Sequence, residues 1–168
     1  MIFVTVGTHE QPFNRLIKGV DRLVAEGKIK EKVVIQTGFS TYIPKHCEWH
    51  KMMSFNEMNK YIENAHIVIT HGGPASFIEV LQKGKMPIVV PRMKQYGEHI
   101  NNHQVEFVKL VAKKKDNILP VYDISKLNDA IQYYEDSMRK GFYNGESNNK
   151  DFNIKLEKIV ESLVEKYK

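Results

Sequence analysis

Short apolar runs alternate along this chain with segments whose apolar residues recur at helical spacing. The runs cover 2–6, 33–36, 65–70, 88–90 and 118–121, and 48–53 is a less apolar sixth. Runs of that length, rich in Val and Ile, predict buried strands. Between the first two, Phe13, Leu16, Ile17, Val20, Leu23 and Val24 share one face of a predicted helix over 12–26, and Gly27 supplies its stop. Further helices are expected over 56–64, 74–83, 98–112 and 124–139, with Ile100, Gln104, Phe107, Val108 and Val111 facing inward in 98–112. Apolar strands alternating with amphipathic helices predict an α/β fold, a Rossmann-like parallel sheet with helices on both faces.

A length of 168 residues fits one domain, placed over 1–140. Residues 141–153 are polar and rich in Gly and Asn, so they read as a loop. Beyond it Phe152, Leu156, Ile159, Val160, Leu163, Val164 and Tyr167 form an apolar stripe on a final helix. That tail, 141–168, either packs back on its own sheet or docks on a partner chain.

Cys47 is the single cysteine, which excludes an internal disulfide framework and fits a reducing cytoplasm. No apolar stretch approaches the roughly 20 residues a membrane-spanning helix needs. The run 2–6 is too short for a signal peptide, so a soluble, cytoplasmic protein is expected. A net charge of +5 suits an acidic partner such as a nucleotide, a diphosphate lipid or an anionic leaflet. Nucleic acid is the rival reading, but the basic residues are scattered without interleaved aromatics. Their one run, Lys113-Lys114-Lys115, ends a predicted helix, where cations favour the dipole.

The most informative segment is Thr70-His71-Gly72-Gly73-Pro74-Ala75-Ser76, running on to Glu79. A strand enters paired glycines and a helix then starts at a proline, a corner suited to holding a phosphate. Glycine allows close backbone approach or φ > 0, and proline suits the first helical position. The helix N-terminus then faces an anion. Ser76 lies in the first turn, as a phosphate ligand or an ordinary helix-start serine. Glu79 shares its face, able to accept from two vicinal hydroxyls or placed there by the helix dipole. Gly7, Thr8 and His9 follow the first strand at the carboxyl end of the sheet, where open α/β sheets bind ligands. They read as a second phosphate contact or a tight turn, with His9 either bonding a phosphate or capping the helix.

These residues carry a resemblance. The HGG corner with Ser76 and Glu79, the following KGKMPIVVP, the segment from Tyr96 to Gln104 and the opening MIFVTVGTHE together resemble glycosyltransferase family 28 C-terminal domains. Those domains are the donor-binding halves of GT-B enzymes, and the likeness covers residues 1 to about 120. It is similar to subunits of capsule and exopolysaccharide transferases and to the soluble subunit of the two-part dolichol-diphosphate GlcNAc transferase. The resemblance implies a UDP-sugar donor and an inverting hexosyl transfer to a polyprenyl-diphosphate-linked sugar. It assigns Glu79 to the ribose, Phe55 to uracil (a core phenylalanine being the other reading), and His99, Asn102, His103 and Gln104 to the donor sugar and diphosphate. His71, Gly72, Gly73 and Ser76 complete the donor site, with Gly7 and Thr8 across from them.

A GT-B enzyme has two such domains, so a membrane-anchored partner supplying the acceptor site is implied, at the inner face of the plasma membrane. The general base is then His9 or a residue of that partner. Self-association is left open, and so is a non-catalytic accessory role that enhances a partner transferase. No cofactor is expected. No metal is expected either: His99 and His103, four apart on the predicted helix, lack a third ligand, and the cluster from His46 to His50 holds one cysteine on a strand.

Overall fold

The apolar runs become six strands, all parallel: β1 (Ile2–Thr5), β2 (Val33–Gln36), β3 (Glu48–His50), β4 (Ile67–His71), β5 (Ile88–Val90) and β6 (Leu119–Pro120). Five helices connect or follow them: α1 (Asn14–Ala25), α2 (Phe55–Asn64), α3 (Pro74–Gln82), α4 (His103–Lys114) and α5 (Leu127–Arg139). The computed structural model describes residues 1–114 and 117–139. The predicted loop and final helix over 141–168 lie outside the described residues.

Apart from its edge strands β3 and β6, the sheet is buried on both faces, which is why the inner strands read as nearly continuous apolar runs. Alternate residues serve opposite faces. Ile2, Val4, Ile67, Ile69, Ile88 and Val90 pack with Leu16, Ile17 and Val20 of α1 and with Leu127, Ile131 and Tyr134 of α5. Phe3, Val34 and Val68 point the other way, toward Ile62 of α2 and Val80 of α3. Val89 joins Phe77 and Val108 of α4 on that second face. The expected Rossmann-like fold is the one found.

Strand order is β3-β2-β1-β4-β5-β6. The chain works outward from β1 to one edge and then returns to β4 beside β1. Loops leaving β1 and β4 therefore diverge, and a crevice opens at the carboxyl ends of these two strands.

The segment boundaries differ from expectation most plainly at α1, β3, β6 and α4. Helix α1 starts at Asn14 rather than residue 12: Phe13 has non-helical backbone, at φ −118 and ψ 52, and its amide donates to Ser40 Oγ, while the Asn14 Oδ1 accepts the amides of Thr41 and Tyr42 at 3.0 and 2.9 Å. Phe13 belongs to the apolar stripe but sits at the N-cap, fully buried. Strand β3 is short and exposed at the sheet edge, and β6 is shorter than predicted. The helix expected over 98–112 begins only at His103. Residues Lys94–Tyr96 form a 3-10 turn ended by Gly97 at φ 68. After it, the Asn101 and Asn102 side chains accept the backbone amides of His103 and Lys94. Asparagines that bond local backbone in this way compete with helix. Ile100, expected to face inward, is consequently 68% exposed.

One packing device is worth a measurement. The Lys85 ammonium donates to the carbonyls of Ile62, Glu63 and Ala65, closing the C-terminus of α2 where three carbonyls lack helical partners. Lys85→Met should lower stability by about 2 kcal/mol, the scale of charge-assisted hydrogen bonds. Thermal unfolding followed by circular dichroism reads this directly; an unchanged midpoint would show that water serves those carbonyls equally well.

Candidate functional site

Strand β4 ends in His71, and Gly72 and Gly73 carry the chain into α3 with Gly73 as N-cap and Pro74 in the first turn. Contrary to expectation, neither glycine takes a positive φ; near the site that conformation falls at Gly7, at φ +74. Gly72 and Gly73 are needed for proximity instead. A Cβ on Gly72 would come within 3.0 Å of Pro91 Cβ and 3.1 Å of Gln104 Cβ, so a side chain there would push α4 away. A Cβ on Gly73 would strike the His71 ring, and one on Gly7 would lie 2.5 Å from His71 Cε1. The imidazole is thus wedged between the two loops at the point where strand order reverses.

The corner offers fewer free amides than its sequence suggests. Pro74 has no N–H, and the Ser76 amide turns back to the Gly73 carbonyl at 3.1 Å. Across the crevice the Gly7 amide is held by Thr5 Oγ1 and Gln36 Oε1 at 3.3 and 3.2 Å. Gln36 Nε2 returns a bond to the Gly7 carbonyl at 3.2 Å, so one side chain at the end of β2 grips the backbone on both sides of the Gly7 Cα. Gly7 supplies shape here, not an N–H. The Ser76 hydroxyl stands 3.5 Å from His71 Nε2.

Burial, then the Arg92 guanidinium, hold the His71 imidazole down to about 4, while the Thr5 carbonyl pulls the other way. Its Nδ1 has no partner in hydrogen-bond geometry, so the ring is neutral at physiological pH. His9 meets the His99 ring edge-on, centroids 4.6 Å apart. Burial lowers its pKa first, with further contributions from His99 and Arg92. On α3, Glu79 is desolvated, which raises its pKa, and its Oε1 is buried with no partner. A carboxylate oxygen left without a donor is an acceptor in want of one. From Gly72 and Gly73 a cleft of about 530 Å³ runs along the start of α4, past His99, His103 and Gln104 to Phe107 and Leu110.

A model of the glycosyltransferase family 28 C-terminal domain matches residues 1–160. The chain belongs to this family. Among curated proteins it is similar to the human UDP-N-acetylglucosamine transferase subunit ALG13, 33% identical over 125 residues, which is 67% of this chain and 10% of that protein. It is also similar to the Candida albicans protein of the same name, at 32% over 96 residues, 57% of this chain and 27% of that one. The chain therefore spans only a small part of the relatives it matches. In fold it resembles the crystallised kitacinnamycin glycotransferase, with TM-score 0.51 and 17% identity over 81% of this chain and 34% of that one.

Placed on this family 28 domain, the predicted residues divide. Gly7, His71, Gly73 and Ser76 converge on the wedge, His9 and His99 pair beside it, and Gly72, His99, His103 and Gln104 line the cleft. Thr8 is exposed at the loop tip. The Asn102 side chain is engaged by the Lys94 amide, and His103, in the first turn of α4, is no longer on one helix with His99. Phe55 is not a core residue: it opens α2 at 72% exposure, behind the Ser54–Glu57 capping box. It follows β3, three strands from β4, or roughly 14 Å at ordinary strand spacing.

Three participants escaped the sequence reading. Gln36 ends a strand and looked like a boundary residue. Glu98 was assigned to a helix, yet it forks onto Arg15 at 2.9 Å through both oxygens and ties the 91–98 segment to α1. Arg92, next to Pro91 after β5, is fully buried. A charged residue just past the carboxyl end of an apolar strand was the available signal.

Proposed function

We propose that this chain is the donor-binding, catalytic subunit of an inverting UDP-sugar glycosyltransferase. A membrane-anchored partner would complete it, presenting a polyprenyl-diphosphate-linked sugar in capsule or exopolysaccharide assembly at the inner face of the membrane. Family membership supports a nucleotide-sugar donor, and the name of the curated relatives makes UDP-N-acetylglucosamine the first donor to test. That name, a transferase subunit, also favours a partner. Among the described residues, no helix is long and apolar enough to cross a membrane.

The observation that carries the reading is the unpartnered Glu79 Oε1, one turn beyond the phosphate-type corner. Ribose 2′- and 3′-hydroxyls are the donors it lacks, and a diphosphate leaving the ribose reaches toward Gly72, Gly73 and Ser76. As the sugar–diphosphate bond breaks, negative charge grows on the leaving group, and preorganised dipoles and cations stabilise it. His9 is the candidate base on this chain; no metal or cofactor enters the proposal.

The test is calorimetric titration with UDP. Glu79→Ala should weaken binding at least tenfold, about 1.4 kcal/mol, and Glu79→Gln should fall between. Because burial raises the Glu79 pKa, wild-type affinity should decline as pH falls through that raised value. Equal affinities for wild type and Glu79→Ala would remove the ribose assignment. Transfer retained by a Glu79→Ala complex would favour the accessory role instead.

A further inference from the structure

Among the described residues, Arg92 is the largest charged side chain that is fully buried. Its Nη2 donates to the Val6 carbonyl at 2.8 Å, and its Nη1 to the carbonyls of Gln11 and Glu98 at 2.7 and 3.1 Å. The guanidinium lies 4.8 Å from the centre of the Phe13 ring. Its backbone amide donates to Gln104 Oε1 at 3.1 Å. One residue thus ties together the loop after β1, the segment before α4 and the first turn of α4. Those three segments carry His9, His99 and Gln104.

The charge is only partly offset: the Glu98 carboxylate attracts it, but no carboxylate among the described residues hydrogen-bonds the guanidinium. Glu98, the nearest acid, spends its oxygens on Arg15 and on the Met93 amide, and meets Arg92 only through its backbone carbonyl. The Arg92 Nε has no partner at all. Carbonyl dipoles satisfy the two Nη groups but not Nε, and they leave a buried cation that Glu98 balances only at a distance, a costly arrangement in an empty fold. Its field is felt on the crevice side. Arg92 lowers the pKa of both His9 and His71, after burial in each case and, for His9, after His99. Glu10 acts on His9 in the opposite sense. Meanwhile the corner has few free amides, with Pro74, Ser76 and Gly7 unable to donate freely.

We propose that Arg92 is a positioning residue that also supplies, from beneath the crevice, the fixed positive charge attracting the donor's diphosphate. The inference rests on the UDP-sugar reading of the site. It predicts that the phosphates, not the nucleoside, are what Arg92 serves.

The experiment compares UDP and uridine by chemical-shift titration on wild type, Arg92→Met and Arg92→Lys. Arg92→Met should weaken UDP at least tenfold and uridine less than twofold. Equal weakening of both ligands would make Arg92 a brace and overturn the proposal. If Arg92→Met does not fold, Arg92→Lys decides, since it keeps the charge and loses the fork. A UDP-to-uridine affinity ratio within twofold of wild type supports the charge, and a collapsed ratio overturns it. Histidine ring titrations of the ligand-free chain read the same field without a nucleotide. The His9 and His71 pKa values should rise in Arg92→Met, and values that do not move would overturn the proposal. Wild type that takes up no UDP would fail the donor reading alone, and the ring titrations would still judge Arg92.

Discussion

Gly73→Ala is expected to weaken UDP binding more than tenfold while leaving a folded protein. The backbone at Gly73 has φ −71, a conformation alanine adopts without strain. In open space the substitution would be neutral or slightly stabilising. Here its Cβ falls on the His71 imidazole, which cannot retreat because Gly7 closes the other side. Overpacking of this kind costs about 1–3 kcal/mol, and relief by displacing the ring would reshape the anion corner. The double variant Gly73→Ala/His71→Ala should recover part of the lost stability, a coupling that only groups in contact display. Additive losses in that cycle would show that the wedge is not what demands glycine. Gly7→Ala offers the contrast. Its φ of +74 adds a backbone penalty of about 1–2 kcal/mol that no change at His71 can remove. Urea unfolding and UDP titration on these three variants and on His71→Ala, which completes the cycle, measure all of this.

The second large effect is expected at Asp21, far from the crevice in sequence terms but coupled to it through the loop between β2 and β3. Asp21 is buried on α1 at 2% exposure. Its carboxylate accepts the Tyr42 hydroxyl at 2.6 Å and the amides of His46 and Lys45 at 2.7 and 3.1 Å. The same loop is tethered through Asn14 and through Ser40, whose hydroxyl accepts the Phe13 amide at 3.0 Å. It also delivers Gly38 against the Gly7 carbonyl, so it forms one wall behind the donor corner.

Burial would raise the Asp21 pKa, but the hydrogen bonds from Tyr42, Lys45 and His46 win and hold it below the usual 3.8. A depressed folded-state pKa contributes stability that is present above the unfolded value and lost as pH falls through the folded one. The loss should therefore appear below about pH 4. Asp21→Ala leaves a hydroxyl and two amides without an acceptor and should cost about 3 kcal/mol at pH 7. Asp21→Asn keeps the shape and one acceptor but cannot titrate. Between pH 7 and pH 3 it should lose less stability than wild type in urea unfolding. Parallel losses in the two proteins would assign the acid sensitivity to other carboxylates.

The strands and most helices were legible because their physics is local. A strand buried on both faces must be largely apolar, and 2–6, 33–36 and 65–70 are, with Thr5, Gln36, His66 and Thr70 as their polar members. Helix α1 shows its period of 3.6 in Leu16, Ile17, Val20 and Leu23, all of which are buried. The corner at Gly72–Pro74 was equally visible, since proline in a first turn after glycine has few other uses. What failed was local too, but contested: Glu98 to Asn102 has residues that tolerate helix, but Arg15 claimed Glu98 and nearby backbone amides claimed Asn101 and Asn102.

The amino-acid sequence by itself determined the parallel α/β architecture, the family and the place of the glycine–proline corner, because hydrophobic period and glycine–proline chemistry act within a few residues. Only the tertiary structure decided why the glycines are required, which amides are spent, and that Arg92 lies under the crevice. Those answers depend on contacts between residues far apart in the chain, such as Gly7 with His71 and Arg92 with Val6. No local pattern encodes such pairs, since it is the strand order that brings their loops together.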